Sequence, residues 1–391
     1  MRLCLLSMEI FAWGKHGGYG RATRVIGREL VRRGIEVFAV VPLRRNQRPI
    51  ELLDGIQVLG FPPRAPWGAA HLIQQTNADL YHSQEPSFIT YLAQRAMPGR
   101  KHLVTLRDTH DWSDWLAELR HPSLNRGQVL ANKLFEDNPL VQRAVRRAHR
   151  VYCAAEFLRT KAQRKYRLPS TPEFLPTPVS VPDQVRKAER PTVCYLARWD
   201  RRKRPELFLA LARHFPHIRF IAFGTSRDAE YERDLRMRYG GLPNLEMPGH
   251  VDQFASSAVA SALTESWILV NTAVREGLPN AFLEAAAHGC AILSAVDPDG
   301  FASRFGAKVE GDNFAAGLET LLQGDRWRGC GERAREHVRS TFELATAIDG
   351  TWLSIMNCWP ANPRRPDRST RSRHARFHRR SASRLHPGAP G

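Results

Sequence analysis

Arg275-Glu276-Gly277-Leu278-Pro279-Asn280-Ala281-Phe282-Leu283-Glu284 is followed by Ala285-Ala286-Ala287-His288-Gly289 and preceded by the apolar run Trp267-Ile268-Leu269-Val270. The run reads as a buried strand. Pro279 suits the first turn of a helix, where a missing N–H costs nothing, and Gly289 suits a left-handed helix end. Glu276 is therefore predicted in a tight strand-to-helix loop, and Glu284 one to two turns into the helix. The start of that helix offers unpaired N–H groups and a partial positive charge, a setting for a phosphate. The two carboxylates accept hydrogen bonds from hydroxyls, and sugars and riboses carry hydroxyls. Spacing alone is weak, because an ordinary surface Glu followed by an ordinary helical Glu gives the same pattern.

A chain of 391 residues is long enough for two α/β domains, each with its own core. No apolar run reaches the length of a membrane-spanning helix. The opening Met1-Arg2-Leu3-Cys4-Leu5-Leu6-Ser7-Met8 is too short for a signal peptide and runs at once into a glycine-rich turn, so it reads as the first strand. The six cysteines are scattered without C-x-x-C pairs, which fits buried thiols of a reducing compartment and no zinc site. The net charge of +19 favours anionic partners such as nucleotides, anionic lipid or nucleic acid. Nine arginines against the single acid Asp367 place +8 of it in residues 359–391. That stretch has almost no aliphatic residues and is expected to be disordered.

Ahead of the opening block, residues 9–20 carry four glycines between a short strand and an amphipathic helix, and residues 35–42 form the next strand. This is a βαβ unit. Its Gly17 and Gly18 let the backbone approach a ligand closely, and the dinucleotide pattern G-x-G-x-x-G is not met, which disfavours a nicotinamide cofactor. Strands are predicted at 56–61, up to 83, and at 101–106, the last followed by Arg107-Asp108-Thr109-His110-Asp111. Open α/β sheets place ligands at such polar strand ends. Residues 180–191, rich in Pro and charge, read as a linker. The strand Val193-Cys194-Tyr195-Leu196 then opens a second domain and leads to Ala197-Arg198-Trp199-Asp200-Arg201-Arg202-Lys203-Arg204-Pro205. On composition alone that turn is a solvated basic loop, and Arg201, Arg202 and Arg204 are read so. Further strands are expected at 218–223, near 244–251 and at 291–294. Helices are expected at 254–263, 314–322, 327–341 and about 343–356. Asp297-x-Asp299 leaves a short metal-binding pattern open.

With its closing His288-Gly289-Cys290-Ala291-Ile292-Leu293-Ser294, the opening block resembles the E-x7-E region of the retaining glycosyltransferases of family 4, which have the GT-B fold. Arg198 and Lys203 are similar to the family's G-R-x4-K element, with Ala197 in place of its glycine. Gly17-Gly18 resembles its glycine loop, and His110 its T-x-H-D-like element, with Arg107-Asp108 departing from the usual lead-in. Phe174-Leu175-Pro176-Thr177-Pro178-Val179 resembles its stretch before the linker. Ala155 stands where the family often has serine, and the usual G-G-I-P-E-like turn after residue 294 is missing. The likeness is tight over 193–205 and 264–294 and extends at fold level to about 1–356.

The resemblance implies an α/β GT-B protein of two Rossmann-like domains with an interdomain cleft: an acceptor domain at 1–182, a nucleotide-sugar donor domain at 183–341, and a helix at 342–358 crossing back to the first. It implies transfer of a sugar from a nucleotide-sugar to a glycan, lipid-linked or small-molecule acceptor with retention at the anomeric carbon. Arg198 and Lys203 would hold the donor diphosphate, Glu276 and His110 would approach the transferred sugar, and Glu284 the nucleotide ribose. Gly17, Gly18, Gly277, Leu278 and Asn280 would line the donor. Neither metal nor other cofactor is expected, and no residue stands out as a covalent nucleophile. A cytoplasmic enzyme is implied, peripheral on an anionic membrane face if the arginine-rich tail acts as an anchor. Two other readings stay open: a GT-B enzyme of another kind, such as a nucleotide-sugar epimerase, or a binding protein using the tail. Nucleic acid is disfavoured as the tail's partner, since only Trp359 and Phe377 interleave its cations.

Overall fold

The computed structural model describes residues 1–14 and 17–358. The first sheet is built from β1 (Arg2–Leu6), β2 (Glu36–Pro42), β3 (Ile50–Leu53), β4 (Ile56–Phe61), β5 (Leu80–Ser83), β6 (Lys101–Leu106), β7 (Arg150–Cys153) and β8 (Glu173–Phe174). Around it lie α1 (Gly18–Arg32), α2 (Ala69–Thr76), α3 (Phe88–Ala96), α4 (Trp112–Arg120), α5 (Arg126–Glu136), α6 (Pro139–Arg146) and α7 (Glu156–Tyr166). The second sheet is built from β9 (Thr192–Leu196), β10 (Arg219–Phe223), β11 (Leu245–Gly249), β12 (Ile268–Asn271), β13 (Ala291–Ser294) and β14 (Gly306–Lys308). Its helices are α8 (Pro205–His214), α9 (Ala229–Tyr239), α10 (Ala258–Glu265), α11 (Asn280–Ala287), α12 (Phe301–Phe305), α13 (Phe314–Leu322) and α14 (Arg326–Thr341). The last helix, α15 (Leu344–Cys358), returns to the first domain.

Strand order is β3-β4-β2-β1-β5-β6-β7-β8 in one sheet and β11-β10-β9-β12-β13-β14 in the other. Every pair is parallel except the β3–β4 edge hairpin. Helices on both faces make the central strands continuous apolar runs, as parallel sheets require. Leu3-Cys4-Leu5-Leu6 and Ile268-Leu269-Val270 are fully buried examples. Ile348 and Ile355 of α15 join Leu3, Leu30 and Val37 in the core of the first domain, which is how the chain's end crosses back.

Each sheet has a point where strand order reverses, between β1 and β5 in the first and between β9 and β12 in the second. Loops leaving the carboxyl ends of such neighbours splay apart and leave a crevice. The two crevices face each other.

Several expectations shift. The helix expected at 254–263 is α10, beginning at Ala258, because Phe254 and Ala255 are spent on a turn closed by Asp252. Pro279 is the residue before α11 and not its first turn. The β3 edge strand and the α4–α5 pair have no counterpart in the sequence reading. The arginine-rich tail, 359–391, lies outside the described residues.

Candidate functional site

The loop from β9 to α8 is built before it is charged. Asp200 accepts from the Lys203 backbone N–H at 3.0 Å. The Lys203 carbonyl takes hydrogen bonds from the Tyr195 hydroxyl at 3.0 Å and the Thr272 hydroxyl at 2.6 Å. Arg204 adopts a left-handed backbone (φ +47°), and Pro205 starts α8. The loop thus aims the Lys203 side chain inward, where its ammonium pairs with Glu276. Burial pushes the Lys203 pKa down, against the pull of Glu276. Arg198 is half-exposed, 3.7 Å from Asp200, and so keeps its guanidinium available to solvent.

Glu276 sits in the loop after β12, with Asn271 Nδ2 at 3.4 Å from the same carboxylate oxygen that Lys203 grips. Gly277 follows because a Cβ there would come within 2.7 Å of the Arg107 carbonyl of the first domain. Leu278 packs into the cores of both domains and so bridges them. Asn280 opens α11 and donates to the Gly18 carbonyl at 2.8 Å. Glu284, buried in α11, pairs with Arg21 of α1 at 3.0 Å, and Arg21 also donates to Gln253. Burial pushes the Glu284 carboxyl pKa up, while Arg21 pulls it down. Gly17 precedes α1, and a side chain there would overlap the Glu9 carboxylate.

His110 lies at the end of the loop after β6. Its Nε2 is 3.1 Å from Glu118, and its ring stacks on Trp115 with centroids 4.4 Å apart. The His110 carbonyl accepts from Lys165 at 2.6 Å. The structure therefore gathers Gly17, Gly18, Lys203, Glu276, Gly277, Leu278, Asn280 and Glu284 along the seam between the domains, and links His110 to it through Glu118 and Asp108, which meet Arg202 and Arg275.

Beside this group runs an interdomain belt that the sequence reading missed. Arg275 pairs bidentately with Asp108 and reaches Asp114 at 2.8 Å and Glu118 at 3.6 Å. Arg202 also pairs with Glu118. Arg202 is thus no solvated turn residue, and neither is Arg204, which holds the Thr272 carbonyl and Asp312. Only Arg201 keeps the exposed place expected of it. Although burial opposes it, His110 and Arg275 hold the Asp108 carboxyl well below the usual carboxylate range. Burial likewise opposes, yet His110 and Arg202 pull Glu118 down to about 2. Arg107, the odd lead-in before Asp108, is buried under the loop and held by Gln84 and Thr177. The missing signal was range: these pairs join residues 84 and 167 positions apart.

The Asp297-x-Asp299 pair does something else. Asp297 caps α12 through Ala302 and Ser303. Asp299 reaches across to the first domain and accepts from the Glu156 and Phe157 N–H groups at 3.0 and 2.6 Å. It therefore supplies the cap that Ala155, lacking a side-chain acceptor, cannot give α7. Among the described residues no group of three or more His, Cys, Asp or Glu is disposed to hold a metal ion. Among them also, no helix is long and apolar enough to cross a membrane.

The comparisons with known proteins bear on the fold and the family. Residues 16–181 match the family model described as Glycosyltransferase Family 4, and residues 190–323 the model described as Glycosyl transferases group 1. No curated protein matches the chain closely enough to count as a relative. Among solved structures, sucrose-phosphate synthase from Thermosynechococcus elongatus is similar at 16% identity and TM-score 0.67, over 91% of this chain and 98% of that one. Anabaena HepE in complex with UDP-glucose is similar at 13% identity and TM-score 0.67, over 91% and 100%. The pneumococcal O-GlcNAc transferase in complex with UDP and GlcNAc is similar at 8% identity and TM-score 0.66, over 92% and 99%. At such identities the likeness speaks for the fold, and with the two adjoining family models it leads to one conclusion: the chain belongs to the family 4, group 1 glycosyltransferases of the GT-B fold.

Proposed function

We propose that this protein transfers a sugar from a nucleotide-sugar to a hydroxyl-bearing glycan, lipid-linked or small-molecule acceptor, with retention at the anomeric carbon. One observation carries the reading: Lys203 and Glu276, from the two loops at the β9/β12 reversal, are paired with each other across the crevice. A donor would exchange that pair for its own groups. Its diphosphate would take the Lys203 ammonium and the Arg198 guanidinium, and a sugar hydroxyl would take Glu276. Fixed cations there stabilise the negative charge that builds as the nucleoside diphosphate departs. Glu284, midway along α11, would share its carboxylate between Arg21 and the ribose hydroxyls. His110, held by Glu118 and Trp115, would face the transferring sugar. No side chain at the cleft is placed as a nucleophile of its own, so the acceptor would attack from the face the diphosphate leaves, which takes up its proton.

The positive charge a metal would bring is supplied by Lys203 and Arg198, and turnover should survive chelation by EDTA. Restoration of lost activity by Mn²⁺ or Mg²⁺ would overturn that part of the reading. The site leaves the base and the sugar open, and a cytoplasmic location, with the tail on an anionic membrane, belongs to the proposal as well. A thermal-shift screen against uridine, guanosine and adenosine diphosphate sugars tests the donor, since a ligand that binds only the folded chain raises its melting temperature. One nucleotide class should stabilise the protein, and Lys203→Ala should abolish the shift. No shift with any of the three would sink the reading.

A further inference from the structure

Charge and apolar surface are sorted unusually on α4, α5 and α6. Trp112 and Leu116 stand one turn apart on α4, and Leu130 and Leu134 one turn apart on α5. Trp112 is 68% exposed, Leu130 52% and Leu134 73%. Leu140 on α6 and Phe157 on α7 are exposed as well. Of the thirteen exposed large hydrophobics among the described residues, seven fall between Trp112 and Phe157 in sequence, and Trp112 and Phe157 line one cavity. The elements are joined: Lys133 of α5 lies 5.3 Å over the Trp112 ring, and Trp115 donates to Asp137 just past α5.

The acids of this region are turned inward or tied down. Asp114 and Glu118 are committed to Lys161, Arg275 and Arg202, Asp137 to Lys165, and Asp111 caps α4 and pairs with Lys161. Glu136 is half-buried, and burial pushes its carboxyl up to about 7. The cations face out. Arg120, Arg126, Arg143, Arg146 and Arg147 are exposed and form no ion pair among the described residues. A cavity of about 720 Å³ opens beside this face, with Trp112, Phe157, Lys133 and Arg164 at its edge and His110 in its wall.

We propose that α4, α5 and α6 form a docking face for an anionic lipid bilayer, with the cavity beside His110 opening where the face meets the headgroups. Leucines and a tryptophan enter the boundary between headgroup and acyl chain, and the surrounding arginines meet anionic headgroups. A second copy of the chain fits poorly, because it would set this basic rim against itself. Nucleic acid fits poorly, because leucines and not stacked aromatics lie between the cations. The face lies wholly outside the tail, and the proposal holds or fails without regard to which reaction the cleft performs.

The test is co-sedimentation of the full chain with vesicles of phosphatidylglycerol or of phosphatidylcholine, at about 0.1 M and 0.5 M salt. Binding should be confined to the anionic vesicles and weaken with salt, since exposed charges are screened. Leu130→Glu with Leu134→Glu changes only exposed positions, so the melting temperature should hold while vesicle affinity falls at least about tenfold. Arg143→Gln with Arg146→Gln should lower affinity several-fold without touching an apolar residue, a check that does not depend on the leucine variant folding. A chain ending at Cys358 should still bind in a leucine-dependent way. The proposal is overturned if the leucine variant binds as well as the parent, or if all binding leaves with the tail. It is equally overturned if the parent ignores vesicles and sediments as a dimer that the leucine variant breaks.

Discussion

Two charged clusters lie side by side along the cleft. Lys203 and Glu276 form a pair within the second domain, joined weakly by Asn271. Arg275, one residue away, meets three carboxylates of the first domain, and Arg202 meets one of them again. The first cluster is small and loosely satisfied, so a ligand carrying a phosphate and a hydroxyl can replace each partner. The second is saturated: every acid has a guanidinium, and a ligand would have to break several contacts to enter. Neighbouring residues of one loop therefore divide the work, Glu276 facing the reaction and Arg275 holding the domains.

The sharpest way to break this comparison is Arg275→Ala. It strands Asp108 without its guanidinium and leaves Asp114 with Lys161 and Glu118 with Arg202, and removing one partner of a buried ion pair typically costs about 3–5 kcal/mol. Urea unfolding should show that loss, and nucleotide binding should weaken only as the domains separate. A variant as stable as the parent would mean the belt holds nothing.

Lys203→Ala strands the single carboxylate of Glu276, so urea unfolding should show a smaller loss than with Arg275→Ala, while kcat/KM falls by roughly 10²-fold or more through lost transition-state charge stabilisation. Arg198→Ala should lower kcat/KM in the same way. Glu276→Gln should lower kcat more than it weakens nucleotide binding. A stability loss with Lys203→Ala as large as with Arg275→Ala would erase the distinction between the clusters.

Beneath the belt lies a pH signature. His82 is buried at the end of β5, 2.8 Å from Thr105, and burial with the help of Arg107 pushes its pKa down to about 3. The unfolded chain protonates this histidine below about 6.5, where the folded chain does not. Its contribution is therefore complete above that pH and falls as pH drops toward 3, by about 1.4 kcal/mol per unit. Glu118, pulled down to about 2, gives up its share only below the ordinary glutamate range. Melting between pH 7 and 5 should thus fall in the parent and fall less steeply in His82→Gln, since His288 and His102, also pushed down by burial, still contribute.

Glu284→Gln should weaken nucleotide binding by about 1 kcal/mol, the scale of one lost hydrogen bond, measured by calorimetry with kcat nearly held. A kcat effect larger than the binding effect would exchange its role with that of Glu276. The smallest change is Arg201→Ala, within about 0.5 kcal/mol in stability as for most surface positions, and with little effect on turnover. Equal losses at Arg198, Arg201 and Lys203 would remove the diphosphate assignment altogether.

Local pattern carried most of the architecture. Buried runs such as Val193-Cys194-Tyr195-Leu196 and the turn chemistry of Gly289 (φ +71°) speak through adjacent residues alone. Glu276 and Glu284 were legible because strand, loop and helix set their spacing. Arg202, Arg204 and Arg275 were not, because a cation's partner is decided by the meeting of two domains and leaves no local trace. The α4–α5 pair escaped for a different reason. Its leucines and Trp112 face outward, so the usual link between apolar spacing and a buried face does not hold there.

Asp299 gives the protein a way to announce its own opening. Its carboxylate reaches the first turn of α7 only while the domains are together. Swing the second domain away, and the amides of Glu156 and Phe157 lose their acceptor, leaving a helix start with nothing but water to bond. Their protons should then trade with deuterium at the frequency of interdomain breathing, while amides deep in β7 stay protected. Two backbone hydrogens would thereby clock the motion of the whole molecule, and a donor that holds the cleft shut would slow that clock.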